Sequence, residues 1–85
     1  MFLSIVIPAY NESNVIKKNI ELINSFFKYR FSFEIIVIND GSTDDTISIL
    51  NQLKINNLST YNNHKNKGKG ASLKKGIKKS IGDIV

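Results

Sequence analysis

The sequence predicts an α/β half-domain: a parallel β-sheet with helices on both faces, starting at its first strand and truncated in its fourth. Short, nearly continuous β-branched runs recur along the chain, as in strands buried on both faces. Between them lie longer stretches whose apolar residues repeat at helical spacing. The order strand, helix, strand, helix, strand, helix, strand is that of parallel strands joined by right-handed crossovers.

The first strand is Leu3-Ser4-Ile5-Val6-Ile7, closed by Pro8, which fixes φ and removes an N–H donor. After the loop Pro8 to Glu12, Val15, Ile16, Ile20, Ile23 and Phe27 fall on one face of a first helix, with Ser13 or Asn11 as its cap. Glu34-Ile35-Ile36-Val37-Ile38 is the second strand and ends in the turn Asn39-Asp40-Gly41-Ser42. Ser42, followed three positions later by Asp45, reads as a capping box with Asp in place of Glu. It opens a second helix with Ile47, Leu50 and Leu53 on one side. Leu58 to Tyr61 is a weaker third strand inside the Asn-rich stretch Asn56 to Asn66. From Gly68 onward, Leu73, Ile77 and Ile81 at steps of four predict a third amphipathic helix, with Lys74, Lys75, Lys78 and Lys79 facing elsewhere, and the apolar faces of the first and third helices are expected to be left partly uncovered. Asp83-Ile84-Val85 begins a fourth strand.

At 85 residues, positions 1–85 form one domain or part of one. A composition of 41% hydrophobic and 22% charged residues excludes intrinsic disorder. The absence of cysteine excludes disulfides and thiolate metal sites, His64 alone makes no metal cluster, and a cytosolic setting is expected. Leu3 to Ile7 lacks the basic leader of a signal sequence and the roughly 18 apolar residues of a membrane helix. The net charge of +5 is uneven: residues 1–45 carry four basic and six acidic side chains, whereas Thr46 to Gly82 carry eight lysines and no acid. That asymmetry suits an anionic partner near the later segment, or equally a solvated lysine face.

Ligands of open parallel sheets bind outside the carboxyl ends of the strands, so the loops after the strands are where function is sought. In the first, Pro8-Ala9-Tyr10-Asn11-Glu12, a flat ring and an acceptor-only carboxylate could hold a base and a ribose. A plain strand-to-helix turn with Glu12 beside a helix N-terminus is the alternative. In the second, Asp40 directly follows a buried strand and can accept from a ring N–H or a sugar hydroxyl, while Gly41 permits a sharp turn beside it. Ser42, Asp44 and Asp45 read as helix cap and first-turn acids rather than metal ligands. The third loop, Asn66-Lys67-Gly68-Lys69-Gly70-Ala71-Ser72, places glycines and lysines at a helix start, which suits an anion. It is neither a dinucleotide fingerprint, which needs a glycine at Leu73, nor a P-loop, which needs one at Asn63.

Ile5 to Glu12, Glu34 to Asp44 and Asn66 to Ala71, taken in this order, resemble glycosyltransferase family 2 with its GT-A, Rossmann-like fold, and the resemblance covers the whole chain. It implies the nucleotide-binding part of an inverting enzyme that transfers a hexose from a UDP-sugar or GDP-sugar. Pro8, Ala9, Tyr10, Glu12 and Asp40 would bind the nucleotide sugar, with Asn66, Lys67 and Gly68 on the base and phosphate side. Asn-Lys-Gly-Lys-Gly before an amphipathic helix is most similar to the branch acting on dolichyl or polyprenyl phosphate, so the acceptor is expected to be a polyprenyl phosphate or a glycan. Eukaryotic members of that branch carry an N-terminal membrane anchor, so a prokaryotic-type or truncated member is expected. The family's Asp-x-Asp for Mg2+ or Mn2+ follows the fourth strand, beyond Val85, and its catalytic base lies further on. No catalytic or metal residue is therefore assigned here, and the 85-residue chain alone is expected to be marginally stable and to transfer no sugar. Without the downstream acids, only lysines such as Lys67 and Lys69 would neutralise the diphosphate. A cytoplasmic site, extending to the cytoplasmic membrane surface, follows from the same resemblance. The competing readings are a non-catalytic module whose lysine-rich helix binds polyanions or an anionic membrane, and an inactive gene fragment. Nucleic acid is the disfavoured partner.

Overall fold

A computed structural model describes residues 2–84. Its elements are β1 (Phe2–Ala9), α1 (Ile16–Phe27), β2 (Ser32–Asp40), α2 (Thr46–Gln52), β3 (Leu58–Asn63), α3 (Lys69–Lys79) and β4 (Asp83–Ile84). The strands form one parallel sheet in the order β3-β2-β1-β4. Of the predicted fourth strand, Val85 lies outside the described residues.

The register explains where the site lies. Ala9 stands opposite Asn39, and Asp40 opposite Asn63, so the first three strands end at one edge and deliver their loops there together. The chain steps from β1 to β2 to β3 in one direction, then returns past β1 to β4. A right-handed crossover made in the reverse direction lands on the other face of the sheet, which separates α3 from α1 and α2.

Alternation along the strands divides the two faces. Leu3, Ile5 and Ala9 of β1 and Phe33, Ile35 and Val37 of β2 form the main core with Ile16 and Ile20 of α1 and Leu50 of α2. The other face carries Val6, Ile36, Ile38 and Asp40, and there the backbone of α3 comes close. A Cβ on Gly76 would lie 2.2 Å from Val6 Cγ1. The buried residues of α3 are Ser72 and Gly76, while Leu73 is half-buried and Ile77 and Ile81 are 49% and 82% exposed. The predicted helix is present, but of its apolar line Leu73-Ile77-Ile81 only Leu73 is partly covered. The neighbouring line of small residues faces the sheet, because only small residues admit this approach, and Ile81 lies beyond the helix end.

The predicted caps differ as well, and for a tertiary reason. α1 begins at Ile16 with no side-chain cap: Ser13 and Asn11 are turned toward the loop after β2. The Asn11 N–H donates to Ser42 Oγ (3.0 Å), the Glu12 N–H to Thr46 Oγ1 (2.9 Å) and the Ser13 N–H to Asp44 Oδ2 (3.2 Å). Asn11 itself sits at φ 51° and accepts from the Thr43 N–H at 2.7 Å. Ser42 is spent on this bracing and on Asn39, so the Ser42–Asp45 capping box does not form. Asp44 serves instead, its Oδ1 accepting from both the N–H (3.0 Å) and the hydroxyl (2.5 Å) of Thr46.

Two predictions follow from this packing. Gly76→Ala should destabilise the fold by about 1–3 kcal/mol through overpacking against Val6, read as a lower urea midpoint with an unchanged m-value. The second concerns Asp44, whose pKa falls from 3.8 to about 2, chiefly through the Thr46 hydroxyl, against the opposing effect of burial and with help from the N–H groups of Thr46 and Ser13. A depressed carboxyl stabilises the fold above its unfolded value, and the contribution fades as pH falls from 3.8 through about 2. Thermal melts of Asp44→Asn should therefore fall below wild type near neutral pH and approach it as pH falls through about 2. A gap that stays constant across that range would remove the charge from the explanation.

Candidate nucleotide-binding cleft

Where β1, β2 and β3 end, a cleft of about 300 Å³ opens, lined by Pro8, Ala9, Tyr10, Glu12, Asp40, Asn66 and Lys69. It lies at the carboxyl edge of the sheet, beside the point where strand order reverses, the usual ligand position in this architecture. A larger cavity of about 500 Å³, lined in part by Phe2, Ser32, Phe33 and Asn57, lies at the amino ends of the strands, the opposite edge.

Six of the eight residues assigned from sequence, Pro8, Ala9, Tyr10, Glu12, Asp40 and Asn66, meet in this cleft. Tyr10 is 46% exposed, and the Glu12 side chain is exposed and accepts no hydrogen bond among the described residues, so ring and carboxylate are both open to a ligand. Lys67 and Gly68 do not line the cleft and act through their backbone instead. Lys69, foreseen only as a neutraliser of phosphate, supplies the cationic wall.

Asp40 is the organising residue. It is 3% exposed, yet its carboxylate is met by three N–H donors, each at 2.8 Å: Asn63 Nδ2 and the Lys67 N–H on Oδ1, and the Gly68 N–H on Oδ2. Burial pushes its pKa up, but these bonds, with the Ser72 hydroxyl nearby, outweigh burial and hold it below 3.8. A carboxylate offers about four acceptor positions. Three are filled by these bonds, leaving the last to Ser72 or to a ligand N–H.

Gly41 makes the crossing of the loops possible. It has φ 70°, and a Cβ there would lie 2.5 Å from the Asn66 nitrogen and 2.6 Å from the Lys65 carbonyl carbon. Any side chain would push the third loop off the second. Asn66 adds a bond from Nδ2 to the Asp40 carbonyl at 3.3 Å.

Known proteins resemble this chain in sequence and in fold. The family model described as glycosyl transferase family 2 matches residues 4–85. Among curated relatives, the dolichyl-phosphate beta-glucosyltransferase ALG5C of Trichomonas vaginalis is 34% identical over 100% of this chain and 28% of its own length. A dolichyl-phosphate beta-glucosyltransferase of Dictyostelium discoideum is 35% identical over 91% of this chain and 27% of its own. The chain thus spans little more than a quarter of these relatives. Among solved structures, S. aureus TarS 1-349 in complex with UDP-GlcNAc superposes with a TM-score of 0.80 at 32% identity, covering 100% of this chain and 25% of that one. The Pyrobaculum calidifontis mannosyltransferase PcManGT, solved with GDP-Man and Mn2+, superposes with a TM-score of 0.77 at 20% identity over 93% of this chain and 24% of its own, and shares the fold. With the family model matched almost from end to end and the three loops gathered at one sheet edge, the chain belongs to glycosyl transferase family 2.

Proposed function

We propose that this chain is the nucleotide-sugar-binding part of an inverting glycosyltransferase that transfers a hexose from a UDP-sugar or GDP-sugar to a polyprenyl phosphate or glycan acceptor. The observation that carries the proposal is the cleft itself. A half-exposed aromatic ring at Tyr10, an open carboxylate at Glu12 and a lysine at Lys69 surround a space that could take a base, a ribose and a diphosphate. The likeness to TarS, solved with UDP-GlcNAc, supports a nucleotide-sugar donor, and the names of the curated relatives support a lipid-phosphate acceptor. In this reading Tyr10 stacks on the base, Glu12 accepts from ribose hydroxyls and Lys69 meets the phosphates.

The family implies Mg2+ or Mn2+, but no group of three or more His, Cys, Asp or Glu among the described residues could hold a metal ion. The metal is therefore assigned to no described residue, and no step is derived through it. No described helix is long and apolar enough to cross a membrane. Work at the cytoplasmic membrane surface, where a lipid-phosphate acceptor would lie, belongs to the proposal.

A competing charge-patch reading draws on a second cavity of about 310 Å³, lined by Asn63, Lys67, Ala71, Lys74, Lys75 and Lys78. Titration calorimetry separates the two. UDP or GDP should bind selectively, and Glu12→Ala should weaken binding by about 1.5–3 kcal/mol, the worth of a hydrogen bond to a charged group, without moving the melting temperature. Unselective binding of polyanions with a steep salt dependence, indifferent to Glu12→Ala, would favour the charge patch instead.

A further inference from the structure

Behind the cleft, on the α3 face, a polar chain extends the Asp40 cluster to Lys75. Lys75, half-buried on α3, donates from Nζ to Asn63 Oδ1 at 2.9 Å and to the Asn62 carbonyl at 3.2 Å. Asn63, 8% exposed at the end of β3, donates from Nδ2 to Asp40 Oδ1 at 2.8 Å and to Ser72 Oγ at 3.4 Å. Asp40 in turn holds the N–H groups of Lys67 and Gly68.

The chemistry of this chain is directional. An ammonium can only donate and a carboxylate can only accept, so Lys75 on one side and Asp40 on the other fix which end of the Asn63 amide faces which. Reversed, the amide would set its NH2 against the ammonium and its oxygen against the carboxylate. Asp40 draws the amide NH2 and Lys75 holds the amide oxygen away from it, so the two charged groups reinforce one orientation of Asn63. Lys67 and Gly68 open the turn into α3, immediately before the cleft-lining Lys69.

We propose that Asn63 and Lys75 are positioning residues: together they orient the Asp40 carboxylate, which pins the Lys67–Gly68 backbone and thereby sets Asn66 and Lys69 on the wall of the cleft. Neither residue lines the cleft, so both act through Asp40. The consequence for ligand affinity rests on the nucleotide-binding reading above, whereas the consequence for the loop does not.

Residue-resolved amide exchange on the protein carrying Lys75→Met tests the loop directly. The Lys67 and Gly68 amides should exchange about tenfold faster or more while the Val37 amide in β2 is unchanged, as expected of a local rather than global opening. Lys75→Arg, which keeps the donor, should restore slow exchange. Asn63→Leu should reproduce the loss, and Lys75→Met decides the matter alone if the buried Asn63 variant fails to fold. Unchanged exchange at Lys67 and Gly68 in Lys75→Met, or an equal rise at Val37, overturns the proposal. UDP titration of the same proteins separates the two readings. No binding of UDP or GDP by wild type would overturn the nucleotide assignment and leave the exchange result standing. Binding by wild type that survives a freed loop in Lys75→Met would overturn the claim that the polar chain sets the cleft wall.

Discussion

The arrangement of the loops turns on one buried charge. Asp40 is almost wholly withdrawn from water, and a carboxylate in that position is tolerated only if its oxygens are met by donors. The donors come from Asn63 at the end of β3 and from the backbone of Lys67 and Gly68. Burying the charge therefore requires the third loop to fold back over the second, and the absence of a side chain at Gly41 lets it do so. If the loop were released, the anion would stand in the interior with two of its three N–H donors gone. The first loop joins by a separate set of bonds, in which Ser42, Asp44 and Thr46 receive three successive backbone N–H groups. Three loops distant in sequence thus share one geometry because two carboxylates, Asp40 and Asp44, each serve more than one of them.

What the sequence made legible was whatever depends on neighbours along the chain. The buried strands could be read because Ile35, Ile36, Val37 and Ile38 must be apolar on both faces, and all four are buried. The edge at which the cleft lies could be read because the carboxyl-edge rule needs only the order of elements along the chain. The face of α3 could not, because two parallel lines at steps of four compete there, Leu73-Ile77-Ile81 and Gly68-Ser72-Gly76, and hydropathy selects the first. The signal that favours the second is size. A helix that must approach Val6 within van der Waals contact presents its small residues, whatever their polarity.

The caps were illegible for a different reason. Ser42-Thr43-Asp44-Asp45 offers several oxygens to the start of α2, and local spacing favours Ser42 with Asp45. Which oxygen is free for capping depends on which are taken by residues about thirty positions earlier, and Ser42 is occupied by the Asn11 N–H and by Asn39. A similar limit applied to Lys67 and Lys69. Both read as phosphate partners, but the backbone bond from Lys67 to Asp40 and the helix start at Lys69 place only the second side chain on the cleft wall.

The two faces of the sheet also do different physical work. Against α1 and α2 the contact is apolar, with Ile16, Ile20, Ile35, Val37 and Leu50 all nearly inaccessible, and burial of this kind supplies most of the drive to fold. Against α3 the contact near the carboxyl edge is polar, with Asp40, Asn63 and Ser72 buried in place of hydrocarbon. Hydrogen bonds there roughly replace those lost to water, so they add little net stability but tolerate few alternative geometries. Stability and precision are thereby assigned to opposite faces of one four-stranded sheet, and α3 becomes the element through which a change in the site is felt. It carries Lys69 on the cleft wall at its first residue and Lys75 behind Asp40 less than two turns later. A displacement of α3 relative to β1 and β2 would move both ends of the polar chain at once, and the close fit of Gly76 on Val6 opposes that displacement.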